Sequence, residues 1–171
     1  TLQMPYFPEE MWYLPTFGQF YGAKSTLNME ALITAEPQVI IDTGDRKSSG
    51  KTDMDGIQRQ TSIPTIFFCA TLEEMPRAYR EIGRILGREE KAEELAQFVE
   101  KTMAMAREKS AQIPEEDRVR IMYGTGSTGL AVNADESSQA QVIDIIGAKN
   151  AIIPDVFTDK GGGTIINMES V

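Results

Sequence analysis

The stretch that decides the fold is residues 39–69, VIIDTGDRKSSGKTDMDGIQRQTSIPTIFFC. Two short apolar runs, 39–41 and 65–69, enclose a polar, glycine-bearing loop at 44–51 and a segment of helical character at 53–61. Apolar runs without polar alternation are typical of strands buried on both faces, and a helix between two such strands indicates a βαβ unit with a parallel sheet. We therefore predict an α/β fold for the first part of the chain.

A helical region follows at 71–113. Thr71 and Glu74 have the spacing of a capping box, which marks the start of a helix. Large apolar residues then recur at helical spacing on two successive faces, Met75, Tyr79, Ile82 and Leu86 and then Leu95, Phe98, Val99 and Met103. Gly87 interrupts the pattern, because glycine is the usual left-handed residue at a helix end. The sequence predicts one long helix, or two abutting helices with a break at Gly87.

Strand character returns at 119–123 and is followed by a glycine-rich loop at 124–129, GTGSTG. The segment 139–147 is predicted to be a helix that ends at Gly147 in the left-handed conformation. One side of this helix is predicted to carry Val142, Ile145 and Ile146. A phosphate-binding interpretation of the glycine loop is poor, because it has neither the Gly-Lys-Ser/Thr ending nor a strand-loop-helix setting.

Composition narrows the functional classes. The chain has 171 residues, of which 41% are hydrophobic, and this is enough to bury one ordinary core. The net charge of −9 opposes binding to nucleic acid, which rewards clustered Lys and Arg. Histidine is absent and the single cysteine, Cys69, lies in an apolar run, where we expect a buried core residue. Hydrolytic triads and zinc sites are therefore poor interpretations.

One tripeptide occurs twice, as Asn28-Met29-Glu30 and as Asn167-Met168-Glu169. The first copy opens a segment, 27–41, that resembles the siderophore, haem and cobalamin class of ABC-importer substrate-binding proteins. The shared pattern is asparagine, an apolar residue and glutamate, then a helix, then a Pro-Asp-apolar-apolar strand. Gln38 stands where that family usually has aspartate. Further similar segments are 63–66, 82–92 and 141–150, and the resemblance extends from about residue 25 to residue 171.

The resemblance implies a fold of two Rossmann-like α/β lobes, both incomplete in this chain, joined by a long rigid α-helix. Residues 1–70 would be the later part of the N-terminal lobe and 71–113 the inter-lobe helix region. Residues 114–171 would be the first part of the C-terminal lobe. Ligand would be held in the cleft between the lobes.

The resemblance also implies the function of an extracytoplasmic solute-binding component of an ABC importer. Such a protein works in the periplasm or on the outer face of the cell membrane, where a lipid anchor in the full-length protein would also fit. It captures a small-molecule metal chelate and delivers it to the permease membrane subunits, with no catalysis and no cofactor. We expect a ferric siderophore as cargo, with haem or cobalamin as alternatives. A non-transport binding or signalling module on the same fold also remains open.

An enzyme of nitrogenase-like or nucleotide-binding type is the competing class with this architecture. It would need cysteine ligands or a phosphate loop. One core-like cysteine and the absence of histidine count against it. We therefore predict that the chain is not an enzyme.

Ligands of open α/β sheets bind at the carboxyl ends of the strands, which places the candidate residues in loops. The ligand-binding candidates are Trp12, Tyr13, Phe17, Tyr21, Arg46, Lys47, Tyr123 and Ser127. The first four can stack on a planar ligand, although core packing explains part of this cluster equally well, which leaves one or two of them to face ligand. In the first loop, the charged groups of Arg46, Lys47 and Lys51 suit an anionic chelate, and a solvated loop is the equal alternative.

Glu30 and Glu169 are the permease-docking candidates. In the family that the chain resembles, a glutamate at each of these positions lies on the outer rim of a lobe and pairs with permease arginines. The alternative is an ordinary first-turn glutamate favoured by the helix dipole. The matched Asn-Met-Glu context favours docking.

Overall fold

The computed structural model describes residues 7–20, 26–44, 50–134, 137–152, 164–167 and 169. The chain divides into two compact units, Thr1–Phe68 and Cys69–Val171. The assignment of 1–70, 71–113 and 114–171 to two lobes and a connecting region stays a prediction.

The first unit contains a strand-helix-strand sequence, as predicted. Its elements are a 3-10 helix Glu9–Tyr13, α1 Met29–Thr34, β1 Ile40–Gly44, α2 Gly50–Thr61 and β2 Thr65–Cys69. The two strands pair in a two-stranded sheet, and the Ile40 amide donates to the Pro64 carbonyl oxygen at 2.8 Å. The buried apolar residues of this unit are Leu32, Met54, Ile57, Ile63 and Phe68. Cys69 is a free, half-buried thiol and not the fully buried core residue that the sequence predicted.

The second unit is larger and holds the long helix. Its elements are α3 Met75–Leu86, α4 Glu89–Ser110, a 3-10 helix Glu115–Asp117, β3 Arg120–Ile121, β4 Gly124–Thr125, β5 Ala131–Val132, α5 Gln141–Ile145, β6 Lys149–Asn150 and β7 Thr164–Ile165. Strands β3 and β6 pair in parallel, while β4, β5 and β7 form an antiparallel sheet in that order. At 1.5 Å per residue, the 22 residues of α4 give a rod about 33 Å long.

The helix break at Gly87 is confirmed. Gly87 has φ of +60° and closes α3 in the left-handed conformation, and its amide donates to the Gly83 carbonyl oxygen. Helix α4 then turns back along α3, so that Arg80 lies beside both Glu93 and Glu100. The two helices are therefore packed side by side.

Small residues form the contact between α3 and α4. A Cβ added to Gly83 would lie 2.3 Å from the Ala92 Cβ and 3.3 Å from the Arg88 carbonyl oxygen. Ala78, Ala92 and Ala96 are buried, whereas Phe98 is 68% exposed and Leu86 is also exposed. The predicted faces of large apolar residues therefore miss part of the real interface, because the close approach of the helices at Gly83 and Ala92 leaves room only for small side chains at that point.

An arginine clamp adds to this interface. Arg80 on α3 donates from Nε and Nη2 to Glu93 at 2.7 and 2.9 Å, and from Nη1 and Nη2 to Glu100 at 2.6 and 3.1 Å. Gln97 donates to the same Glu93 carboxylate at 2.9 Å. Two bidentate pairs hold one guanidinium rigidly, and the hydrogen bond from Arg80 is the main cause that lowers the pKa of Glu93 to about 2.

Helix α5 packs with a different face from the predicted one. Ile143 is buried with Ala140 and Ala148, and Ile121 of β3 packs against this cluster. Val142 and Ile146 are exposed, so the predicted apolar side is wrong for these two residues. Gly147 has φ of +78°, as predicted, and a Cβ there would lie 2.7 Å from the Ser110 Cβ at the end of α4.

The first prediction compares two helical glycines. Gly83→Ala should lower the free energy of unfolding by about 1–3 kcal/mol, because the new methyl group overpacks the contact with Ala92. Gly56→Ala is the matched control in α2. Its Cβ would meet nothing within 4 Å, so it should raise stability by about 0.5–1 kcal/mol. Denaturant unfolding of both variants measures the two changes, and equal effects of the same sign would contradict the packing argument.

The second prediction concerns pH. Pairing lowers the pKa of Glu93 below the ordinary glutamate value of about 4.3, so the clamp stabilises the fold above that pH and loses this contribution as pH falls towards 2. Arg80→Gln should therefore lower the melting temperature clearly at about pH 6, and the difference from wild type should narrow by about pH 3.

Arg77→Gln is the control for this pH series. Arg77 makes an exposed ion pair with Glu81 on the same helix, at 2.9 Å, and should give a smaller change. A difference between Arg80→Gln and wild type that stays constant from about pH 6 to about pH 3 would show that the clamp has no acid-linked role.

Candidate functional site

The aromatic candidates of the first unit differ in how they are held. Trp12 is half-buried, and its indole N–H donates to the Phe7 carbonyl oxygen at 3.1 Å. Tyr13, the next residue in the same 3-10 helix, is 76% exposed. Phe17 is half-buried and its carbonyl oxygen accepts from the Asn28 amide at 2.7 Å. Of these three, Tyr13 offers the freest ring, and Tyr21 lies outside the described residues.

The cationic candidates Arg46 and Lys47 also lie outside the described residues, in the connection between β1 and α2. Lys51, the next cation along the chain, lies among the described residues. Its ammonium group pairs with the Asp55 carboxylate at 2.8 Å, and this hydrogen bond is the main cause that lowers the pKa of Asp55. Lys51 is therefore engaged within α2.

The glycine loop 124–129 is a β-hairpin. Gly124 pairs with Val132 and Thr125 with Ala131, and the turn between them uses positive φ at Gly126 (+78°) and Gly129 (+71°). A Cβ at Gly124 would lie 2.2 Å from the Gly129 carbonyl oxygen, so the two arms need glycine to meet this closely. The strand-turn-strand geometry differs from that of a phosphate loop, which leads from a strand into a helix.

The hairpin carries the second-unit candidates. Ser127 is exposed in the turn, and Tyr123, just before β4, is 37% exposed. Every residue from 123 to 133 is uncharged. Ser127 and Thr128 are exposed, whereas the hydroxyl of Thr125 donates to the Ala131 carbonyl oxygen at 3.0 Å. This surface can offer hydroxyl hydrogen bonds and an aromatic edge to a ligand, but no full charge.

A cavity of about 510 Å³ lies at one end of the β3–β6 sheet, opposite to the end that the hairpin follows. Glu115 and Arg118 precede β3, Lys149 starts β6, and all three line the cavity together with Gln141 and Asp144 of α5. Because the two strands are parallel, this is their amino edge, whereas the hairpin follows the carboxyl end of β3. The cavity is thus separate from the predicted ligand-contacting loop, and sequence analysis did not anticipate it.

The two cations of this cavity share the Glu115 carboxylate, and the buried Nε of Arg118 makes no hydrogen bond among the described residues. Glu115 pairs with Lys149 at 2.7 Å and with the Nε of Arg118 at 3.3 Å. The hydrogen bond from Lys149 is the main cause that lowers the pKa of Glu115. An anionic ligand would have to compete with this carboxylate, so the cavity is a weaker anion site than its two cations suggest.

The two docking candidates are both exposed. Glu30 lies in the first turn of α1, where the Asn28 side-chain oxygen caps the helix by accepting from the Ala31 amide at 3.0 Å. Glu169 follows β7, and its backbone is 3-10 helical. The structure therefore leaves each carboxylate accessible, and the docking role of both stays a prediction.

The described part of the chain lacks two features, a group of metal-binding side chains and a membrane-spanning helix. No group of three or more Cys, Asp or Glu side chains there is arranged to hold a metal ion. No helix among the described residues combines the length and the apolar character needed to cross a membrane.

Solved structures with the same fold include solute-binding proteins of ABC transporters. The ABC transporter solute binding protein from Sulfurospirillum deleyianum DSM 6946 is 25% identical, with a TM-score of 0.80 over 95% of this chain and 49% of that one. The S. aureus protein IsdE complexed with heme is 20% identical, with a TM-score of 0.59 over 83% of this chain and 60% of that one. The siderophore periplasmic binding protein from the fuscachelin gene cluster of Thermobifida fusca is 23% identical, with a TM-score of 0.56 over 83% and 51%.

The chain spans about half to three fifths of the length of these solved relatives. A comparison with curated protein sequences gives no match. The sequence profile of the family described as periplasmic binding protein matches residues 19–171, which is most of the chain. The order of elements, the long helix α4 and this match agree with the resemblance found in the sequence, and the chain belongs to the periplasmic binding protein family.

Proposed function

We propose that this chain is part of the extracytoplasmic solute-binding component of an ABC importer. The observation that carries the proposal is the similarity to the Sulfurospirillum deleyianum solute-binding protein over 95% of the chain at a TM-score of 0.80. The protein would work in the periplasm or on the outer face of the cell membrane, with or without a lipid anchor. Its task would be capture and delivery to permease membrane subunits, without chemical change to the cargo.

The proposed cargo is a ferric siderophore. These 171 residues contain no histidine and so offer no imidazole to haem iron, which counts against haem, although tyrosine can also ligate haem. Arg46 and Lys47 suit the carboxylates or catecholates of an anionic chelate. The exposed hydroxyl groups of the uncharged hairpin would complement the polar periphery of such a ligand. The solved relatives include both a haem complex and a siderophore-binding protein, so they support a metal chelate without choosing between these two.

The third prediction tests the cargo class. Trp12 is the only tryptophan of the chain, and its ring is half-buried beside the exposed Tyr13. Titration of the full-length protein with ferric siderophores, haem and cobalamin should give saturable fluorescence quenching by ferric siderophores at micromolar or lower concentration.

Calorimetry with the same ligands detects binding that leaves the fluorescence of Trp12 unchanged. Saturable binding of haem or cobalamin instead of siderophores would correct the cargo. The absence of binding by both methods would favour a non-transport module on the same fold.

The fourth prediction tests the cationic loop. Arg46→Ala with Lys47→Ala in the full-length protein should weaken binding of an anionic ferric chelate about tenfold or more, because two charge-assisted hydrogen bonds are lost. Binding of a neutral chelate should change far less. Lys51→Ala is the matched control, since this nearby cation pairs with Asp55, and its effect should be small. Equal losses for anionic and neutral chelates would remove the loop from the site.

We further propose that Glu30 and Glu169 contact permease arginines. Both carboxylates are exposed, and each follows an asparagine by two residues. Complementary charges at such a contact would fix the docking orientation and speed encounter.

A further inference from the structure

Three hydrogen bonds join two segments of the chain that precede α1. The Asn28 amide donates to the Phe17 carbonyl oxygen at 2.7 Å, and the Thr26 amide donates to the Gln19 carbonyl oxygen at 2.8 Å. The Gln19 amide donates to the Thr26 hydroxyl oxygen at 3.0 Å. Residues 17–19 and 26–28 thus lie side by side, and we call this paired structure the bracket.

Gly18 makes the bracket tight. Its φ is +96°, a left-handed conformation that favours glycine. A Cβ at this position would lie 2.2 Å from the Thr26 carbonyl oxygen and 3.1 Å from the Leu27 Cα. Both neighbours are backbone atoms, so the contact cannot be relieved by moving a side chain. The bracket therefore requires glycine at residue 18.

The last residue of the bracket is also the cap of α1. Asn28 is held through its amide by Phe17, while its side-chain oxygen accepts from Ala31 and its carbonyl oxygen accepts from Leu32. Helix α1 has six residues, and Leu32 is its only buried residue. A helix this short has little stability of its own, so its position depends on what holds its ends.

Glu30 lies two residues after Asn28, in the first turn of this helix. We propose that the bracket positions the Glu30 carboxylate for permease docking, with Gly18 and Thr26 as positioning residues. This inference rests on the docking role proposed for Glu30. Docking affinity would then depend on bracket residues that do not themselves contact the permease.

A double-mutant cycle between Thr26 and Glu30 tests the inference. The full-length protein is titrated against its permease in lipid nanodiscs, with wild type, Thr26→Val, Glu30→Gln and the double variant. Glu30→Gln should weaken docking about tenfold and Thr26→Val about threefold, the loss typical of one modest hydrogen bond. The double variant should bind like Glu30→Gln alone, because Thr26 acts through Glu30.

Thr26→Ser keeps the hydroxyl and should dock like wild type. Chelate affinity and the melting temperature should stay close to wild type for all these variants, which separates positioning from general damage. Gly18→Ala should disrupt the bracket more strongly than Thr26→Val. The loss of docking affinity that it causes should likewise be absent when residue 30 is already Gln.

The possible failures are distinguishable. If Thr26→Val causes the same loss whether residue 30 is Glu or Gln, the bracket does not act through Glu30 and the inference is overturned while docking by Glu30 stands. The inference is also overturned, and docking by Glu30 still stands, if the Thr26→Val variant docks like wild type. If Glu30→Gln docks normally, the proposed docking role fails and the inference fails with it.

Discussion

The close approach of α3 and α4 is the constraint on which the second unit depends. Gly83 leaves room for the Ala92 methyl group, and the Arg80 clamp holds the helices along the same interface. The open end of this helix pair, away from the Gly87 turn, then holds α5. The Leu72 amide, before α3, donates to the Gln141 side chain at 3.0 Å, and Gly147 after α5 lies against Ser110 at the end of α4. A wider helix pair would therefore displace α5 and with it the packing of Ile143 beneath β3.

The fold could be predicted where sequence signals act locally. The strands β1 and β2 and the left-handed Gly87 and Gly147 all follow from residues within a few positions of each other. The small-residue interface could not be predicted in this way, because periodicity of large apolar residues marks a helix face only where large residues make the contact. Phe98 fits the helical period and yet is exposed.

The candidate site was predictable to a lesser extent. Loop order places Tyr123 and Ser127 after a strand, and the hairpin confirms that position but not a contact with ligand. The occupied N–H of Trp12 and the pairing of Lys51 with Asp55 depend on side-chain geometry, which the sequence pattern does not contain. The cavity at the amino edge of β3 and β6 was missed because its walls come from segments far apart in the chain, from Thr71 to Asn150.

The absence of histidine has a consequence for the proposed transport role. Histidine is the side chain whose ordinary pKa lies within the physiological range, and the carboxylates with resolved pKa shifts, including Glu93 and Glu115, are shifted further below that range. None of the side-chain types in this chain has an ordinary pKa between about pH 5.5 and 7.5. If cargo binding depends on pH over that range, titration of the chelate itself is the first source to examine.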